Sequence, residues 1–137
     1  MSLRSRIWRL LLDDFPPSTM AHEEWVERAE KDFEAARFNH ENGFNDIAAF
    51  LYQQAAEKSL KGVLIALGQG LERTHDCFAL AQKAEAPDDV QDAADRLTLF
   101  YTRNRYPDRA SVEITGRKLN LLQSAAEEVL QWTRSTL

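Results

Sequence analysis

Apolar residues recur every three or four positions along most of this chain, and glycine, proline and asparagine separate the stretches that carry the pattern. Between His22 and His40 they fall at Trp25, Val26, Ala29, Phe33 and Ala36, while Glu23, Glu27, Glu30, Lys31 and Glu34 lie largely elsewhere. That spacing predicts an amphipathic helix with one buried face, and Asn42-Gly43 stops it as a left-handed cap would. The next stretch, Asn45 to Leu67, places Ile47, Phe50, Leu51, Ala55, Leu60, Val63, Leu64 and Leu67 round much of its circumference. Such wide apolarity suits the most buried helix of a bundle, and Gly68-Gln69-Gly70 ends it.

Thr74 is placed to cap a short helix from about His75 to Lys83, with Phe78, Ala79 and Leu80 inward. Ala86-Pro87-Asp88-Asp89 opens another helix, since proline suits the first turn and acids suit the positive end of the dipole. It carries Val90, Ala94, Leu97, Phe100 and Tyr101. The segment Arg103-Asn104-Arg105-Tyr106-Pro107-Asp108 interrupts it, because proline disfavours helix in the residue before it. A last helix from about Val112 to Arg134 has Leu119, Leu122, Ala126, Val129 and Leu130 on one side. No segment alternates apolar and polar residues between turn signals, so no strand is predicted. The fold class is all-α: an antiparallel up-and-down bundle of four main helices plus a short extra helix.

The bundle is expected to occupy residues 20–137. Ahead of it, Arg4 to Leu12 looks at first like a basic, apolar targeting sequence, but the uninterrupted apolar run is only Leu10-Leu11-Leu12. That is too short for a signal core or a membrane span. Residues 1–19 are therefore read as an N-terminal extension, a short helix or tag-like segment, and no membrane association is expected.

Length and charge narrow the function. A chain of 137 residues is long enough for one domain with a real core. A net charge of −5 argues against a protein that coats DNA non-specifically, though not against a local basic patch. The single cysteine, Cys77, excludes an internal disulfide; only His75 lies near it, and His22 and His40 are far away, so no metal-ligand spacing is present. No metal or cofactor is called for, and cytoplasmic residence is expected.

Three features carry candidate chemistry. In the second helix, Lys58 sits close to an apolar stripe, Lys61 lies one turn further on, and Glu57 precedes Lys61 by four residues, the favourable order for an ion pair. The plainer reading is that both lysines lie along the bundle surface and pair with carboxylates. Next, Thr74-His75-Asp76 follows a glycine-bearing loop; here Thr74 and Asp76 suit capping, and His75 suits a hydrogen bond across the bundle. Finally, Arg96, Arg103, Arg105 and Arg109 stand against one acid, Asp108, with Tyr101 and Tyr106 between them. Arginine forks match phosphate geometry and tyrosine rings stack on bases. The plainer reading has Arg105 and Asp108 fixing a tight turn and Tyr106 plugging the bundle end.

Taken together, these features resemble the HEPN family, the higher eukaryotes and prokaryotes nucleotide-binding domain. The resemblance runs over about residues 22–134. It is carried by Ala29-Glu30-Lys31-Asp32, by Ala35-Ala36-Arg37, and by the continuous stretch Phe44 to Lys61 that includes Gln53-Gln54-Ala55-Ala56-Glu57-Lys58. Thr74-His75-Asp76, Tyr101 and Arg105-Tyr106-Pro107-Asp108 complete it. The resemblance implies a helical bundle, usually a homodimer, that in prokaryotes often works beside a separate minimal nucleotidyltransferase in two-gene pairs, toxin–antitoxin systems among them. Many relatives are metal-independent ribonucleases carrying an arginine, four to six intervening residues and a histidine. None of the three histidines here follows an arginine at that spacing, so the ribonuclease motif is absent. No catalytic residue is assigned, and efficient RNA cleavage is not expected.

The expected function is thus a nucleotide- or RNA-binding subunit acting with a nucleotidyltransferase. Its binding residues would be Arg103, Arg105, Tyr106, Asp108, Arg109, Lys58, Lys61 and His75. A divergent metal-independent ribonuclease using Arg105, Tyr106 and His75, or a purely structural dimerisation module, are the alternatives.

Overall fold

Helix starts and stops follow the local chemistry of the chain. The structure, a computed structural model, describes residues 21–104 and 113–137, with the backbone alone for 101–104. Within them lie five helices: α1 (His22–Glu41), α2 (Asn45–Ala66), α3 (Cys77–Lys83), α4 (Asp88–Asn104) and α5 (Gly116–Thr136), and no strand among the described residues. The all-α bundle is as expected. Residues 1–19, and with them the reading of an N-terminal extension, lie outside the described residues.

Three helices end in the same hydrogen-bond pattern. After α1, Phe44 N donates to Asn39 O at 2.9 Å and Gly43 N to His40 O at 3.3 Å. After α2, Gln69 N donates to Leu64 O and Gly68 N to Ile65 O; after α3, Ala86 N donates to Ala81 O and Glu85 N to Gln82 O. Each pair satisfies carbonyls that the helix leaves open, and each needs a left-handed residue at the turn. Gly43 and Gly68 supply it at φ +82° and +77°. The third turn has a glutamate there: Glu85, at φ 55°.

Two predicted boundaries move. The short helix begins at Cys77, and its N-cap is Asp76, whose carboxylate accepts from Ala79 N at 3.0 Å. Thr74 instead accepts from Asp76 N at 3.1 Å, a turn just outside the helix. Consequently Ala79 faces solvent, while Cys77 and Leu80 are buried. The last helix starts at Gly116, capped by the Thr115 hydroxyl accepting from Lys118 N, so residues 113–115 lie outside it, with Thr115 itself extended. The fourth helix also runs on through Arg103 and Asn104.

Helix α2 is the centre of the bundle and contacts all four others. Small residues make this possible: Ala48, Ala55, Ser59 and Gly62 recur at one-face spacing and are all buried. A Cβ at Gly62 would meet the Val26 side chain at 3.2 Å and the His22 carbonyl oxygen at 3.3 Å, so α1 and α2 approach closely there. Side chains then tie the outer helices on. Tyr52 Oη lies 2.8 Å from His40 Nδ1, and burial pushes this phenol up to about 12, keeping it neutral. Thr133 donates to Val129 O at 3.1 Å, which leaves Ser59 as the donor in its buried bond to Thr133. Arg134 grips Glu30 with two parallel bonds of 2.6 Å, joining α5 to α1.

The wide apolar surface predicted for α2 is only partly covered. Phe33 is buried, but Phe38, Phe44, Ile47 and Phe50, all near the α1–α2 turn, remain exposed by between 49% and 65%. No described helix is long and apolar enough to cross a membrane.

Two stability predictions follow from these turns and surfaces. A non-glycine residue in the left-handed region carries a steric cost of about 1–2 kcal/mol, partly offset because glycine raises the entropy of the unfolded chain. Glu85→Gly should therefore stabilise the fold by about 0.5–1 kcal/mol, read as a higher midpoint in urea unfolding. An unchanged midpoint would show that this backbone is not strained. At the α4–α5 contact, burial first, then the charge of Asp89 and its hydrogen bond, push the Glu128 carboxyl above the usual carboxylate range. The native state thus binds that proton more tightly than the unfolded chain, so Glu128 costs stability as pH climbs through its raised value. Glu128→Gln should raise the melting temperature at neutral pH, with the gain shrinking in acid, where wild-type Glu128 is protonated in both states. A gain independent of pH would contradict this assignment.

Candidate functional site

On α2, Gln53, Glu57, Leu60 and Leu64 share one face by their spacing, and all four are buried. A glutamate on that face has to find donors, because burying a carboxylate costs several kcal/mol in lost hydration. Glu57, whose side chain is 5% exposed, finds three. Its Oε2 lies 3.1 Å from Lys61 Nζ, one helical turn on. Its Oε1 lies 3.2 Å from Gln53 Nε2, one turn back, and 2.9 Å from His75 Nδ1, in the segment that leads into α3.

Gln53 extends the network. Its amide nitrogen also donates to the His75 carbonyl oxygen at 3.2 Å and approaches Cys77 Sγ at 3.6 Å, while its oxygen accepts from Gln54 at 2.7 Å. Gln53 thus holds both the carboxylate and the backbone of the histidine that the carboxylate binds. Burial, with the Glu57 charge next, pushes the Cys77 thiol up, so it is an uncharged member of the core. Lys61 and Glu57 are a buried opposite-charge pair, whereas the His75 side chain is 54% exposed. The result is an imidazole at the surface, held from beneath by a buried, charge-balanced carboxylate.

The segment carrying His75 is fastened to α4 as well. Thr98 accepts from Phe78 N at 3.1 Å, and its hydroxyl approaches Asp76 Oδ1 at 3.3 Å. Arg103 lies five residues further along the same helix, a rise of about 7.5 Å. The end of α4 that leads into the arginine–tyrosine segment therefore begins close to the anchorage of His75.

Of the residues expected to bind phosphate, Lys61 and His75 are brought onto one carboxylate. Lys58 is not part of that cluster: its ammonium is bound by Asp32 of α1 at 2.6 Å. Both lysines pair with carboxylates as the plainer reading held, but Lys61 does so inside the bundle and not along its surface. The cross-bundle bond anticipated for His75 is present. Arg103 is described in its backbone only, and Arg105, Tyr106, Asp108 and Arg109 lie outside the described residues. Sequence reasoning missed Glu57 and Gln53 as organisers of the site. The signal was their four-residue spacing in line with Leu60 and Leu64, which places both on the buried face. No group of three or more histidine, cysteine, aspartate or glutamate side chains among the described residues could hold a metal ion.

Comparison with known proteins accounts for this architecture. The HEPN domain family model matches residues 22–136. The crystal structure of ST0689, an archaeal HEPN homologue, superposes with a TM-score of 0.75 at 30% identity, covering 86% of this chain and 98% of that one. The crystal structure of TT1696 from Thermus thermophilus superposes with a TM-score of 0.76 at 27% identity, covering 85% of this chain and 98% of its own. No curated protein matches the chain. A family match over nearly all of the bundle, together with a homologue of almost equal extent, establishes that this chain belongs to the HEPN domain family.

Proposed function

We propose that this chain is a non-catalytic HEPN subunit that binds a nucleotide or RNA and works, as a cytoplasmic homodimer, with a minimal nucleotidyltransferase. The observation that carries the reading is the exposed His75 imidazole on its buried Glu57–Lys61 support, fastened by Thr98 to the helix that leads into the arginine–tyrosine segment. In this reading Arg103, Arg105 and Arg109 take phosphate oxygens and Tyr106 stacks on a base, chemistry to which arginine forks and phenol rings are suited. The missing arginine–histidine spacing of the family's ribonucleases supports binding over cleavage. Exposed Phe38, Phe44, Ile47 and Phe50 offer an apolar face for self-association, and a homodimer would be two-fold symmetric.

Salt-titrated binding of nucleotide and of single-stranded RNA tests the phosphate site. Affinity should fall as salt rises, because each neutralised phosphate releases counterions, contributing about 0.7 to the logarithmic slope for single strands. Arg105→Ala should lower both affinity and slope. Tyr106→Ala should weaken binding by roughly 1–3 kcal/mol per stacked base while leaving the slope nearly intact. Unaltered affinity in a stably folded Arg105→Ala protein would sink the phosphate site, and metal-independent cleavage of the RNA that disappears in His75→Ala would install the ribonuclease reading instead. Light scattering tests the assembly: a dimer mass is expected at tens of micromolar, reverting toward monomer in Phe38→Ser/Phe50→Ser.

A further inference from the structure

Between the end of α2 and the start of α3, residues 69–76 form neither helix nor turn, and none of them is buried. Their one large apolar side chain, Leu71, is half-buried. Little apolar burial therefore holds this segment down, and polar contacts do so instead. Near its end, His75 Nδ1 lies 2.9 Å from Glu57 Oε1, and the His75 carbonyl oxygen accepts from Gln53 Nε2 at 3.2 Å. In its middle, Glu72 pairs with Lys83 of α3 at the surface. Where the segment leaves α2, Gly68 and Gly70 stand at φ +77° and +76°, on either side of Gln69. At the far end Asp76 is fixed as the cap of α3 and by the Thr98 hydroxyl.

The surface beneath the segment is polar as well. Gln53, Glu57 and Lys61 are all buried, and Cys77, which is 0% exposed, packs against Gln53. Burial strips a charged pair of its hydration, so lifting the segment gives water back to Glu57 and offsets part of the bonding that it breaks. Elsewhere round α2, parting the helices exposes alanine, leucine and valine, which the hydrophobic effect opposes. We propose that residues 69–76 are a strap that opens as a unit while the helices stay packed, hinged at Gly68 and Gly70, pivoting at Asp76 and latched by the Glu57–His75 bond. Closed, it shields the Glu57–Lys61 pair and Cys77, and closing is what sets the His75 imidazole in its place at the surface. Open, it uncovers the pair and the thiol together. The strap stands apart from the binding reading above, since it draws on no ligand.

Cys77 is the one cysteine of the chain and so a built-in reporter of opening. The full chain is labelled with an aromatic disulfide reagent over a series of low urea concentrations. The rate is compared with the limit that global unfolding sets, taken from the urea transition of the same protein. Labelling through the strap should exceed that limit by about tenfold or more. It should also change little with urea, because the urea slope scales with the surface exposed. The α2 amides of Leu60, Val63 and Leu64 should exchange only with global unfolding, at the full slope. His75→Ala should speed labelling roughly ten- to hundredfold, the value of a hydrogen bond to a charged group, and keep the small slope. Glu72→Ala, which breaks a surface ion pair, should change the rate by less than about fivefold. The wild-type measurement needs no variant: labelling at the global limit, with the global slope, overturns the strap. Exchange of the α2 amides in step with Cys77 means that the core itself parts, and overturns it too. Equal acceleration by Glu72→Ala and His75→Ala, or none in His75→Ala, removes the Glu57–His75 bond as the latch.

Discussion

A carboxylate buried in the middle of the central helix is the constraint around which the rest of this molecule is arranged. Glu57 loses its hydration when α2 is enclosed, and only donors supplied by the fold replace it. One comes from Lys61 and one from Gln53, each a turn away on the same helix. The last comes from His75, eighteen residues on. That last bond is long-range, and it ties the irregular chain after α2 back onto the helix it has just left. Removing any single member leaves a charge or an amide buried without its partner, which costs far more than the net worth of the bond. Stability and site geometry are thereby fixed by the same atoms.

Around that centre the attachments differ in kind. Helix α1 is held by close approach at Gly62, by the tilted pair of Phe33 and Tyr52, and by the Asp32–Lys58 ion pair. Helix α5 is held by the apolar row Leu119, Leu122, Ala126, Val129 and Leu130, with the Ser59–Thr133 hydroxyl pair inside it. Helix α3 is too short to bury much and relies on the Asp76 cap and on Thr98. The surface ion pair between Glu30 and Arg134 has two-pronged geometry, which fixes direction more than it adds stability.

What the sequence made legible was whatever local periodicity and turn chemistry decide. The limits of α1 and α2 agree with the pattern within a residue because Gly43 and Gly68 both suit the left-handed turn that ends a helix. Thr74 and Asp76 are equally good caps in isolation; the choice falls to Asp76 because Thr98, from another helix, secures the backbone there. The last helix begins at Gly116 and not at about Val112 because Thr115 provides the cap, a choice that apolar periodicity alone does not make. The geometry around His75 was legible only in part for a similar reason. A Glu57–Lys61 pair four residues apart is the signature of an exposed helix surface, and only the packing of the four other helices round α2 turns it inward. His75 was singled out, yet its partner was not, since eighteen residues separate them and no local rule links the two.

The small residues along α2 carry a consequence for how such a chain can change over evolutionary time. Ala48, Ala55, Ser59 and Gly62 let the other helices come close, and even a Cβ added at Gly62 would force its neighbours back by a few tenths of an ångström. Adding even a methylene to a filled interior typically costs about 1–3 kcal/mol, a large share of a small domain's margin. Divergence is thus channelled outward. The central helix acts as a narrow gauge on which only small residues run, while outward-facing positions are open to drift, so a new ligand preference would be acquired on the rim of the bundle before it could be acquired at its axis.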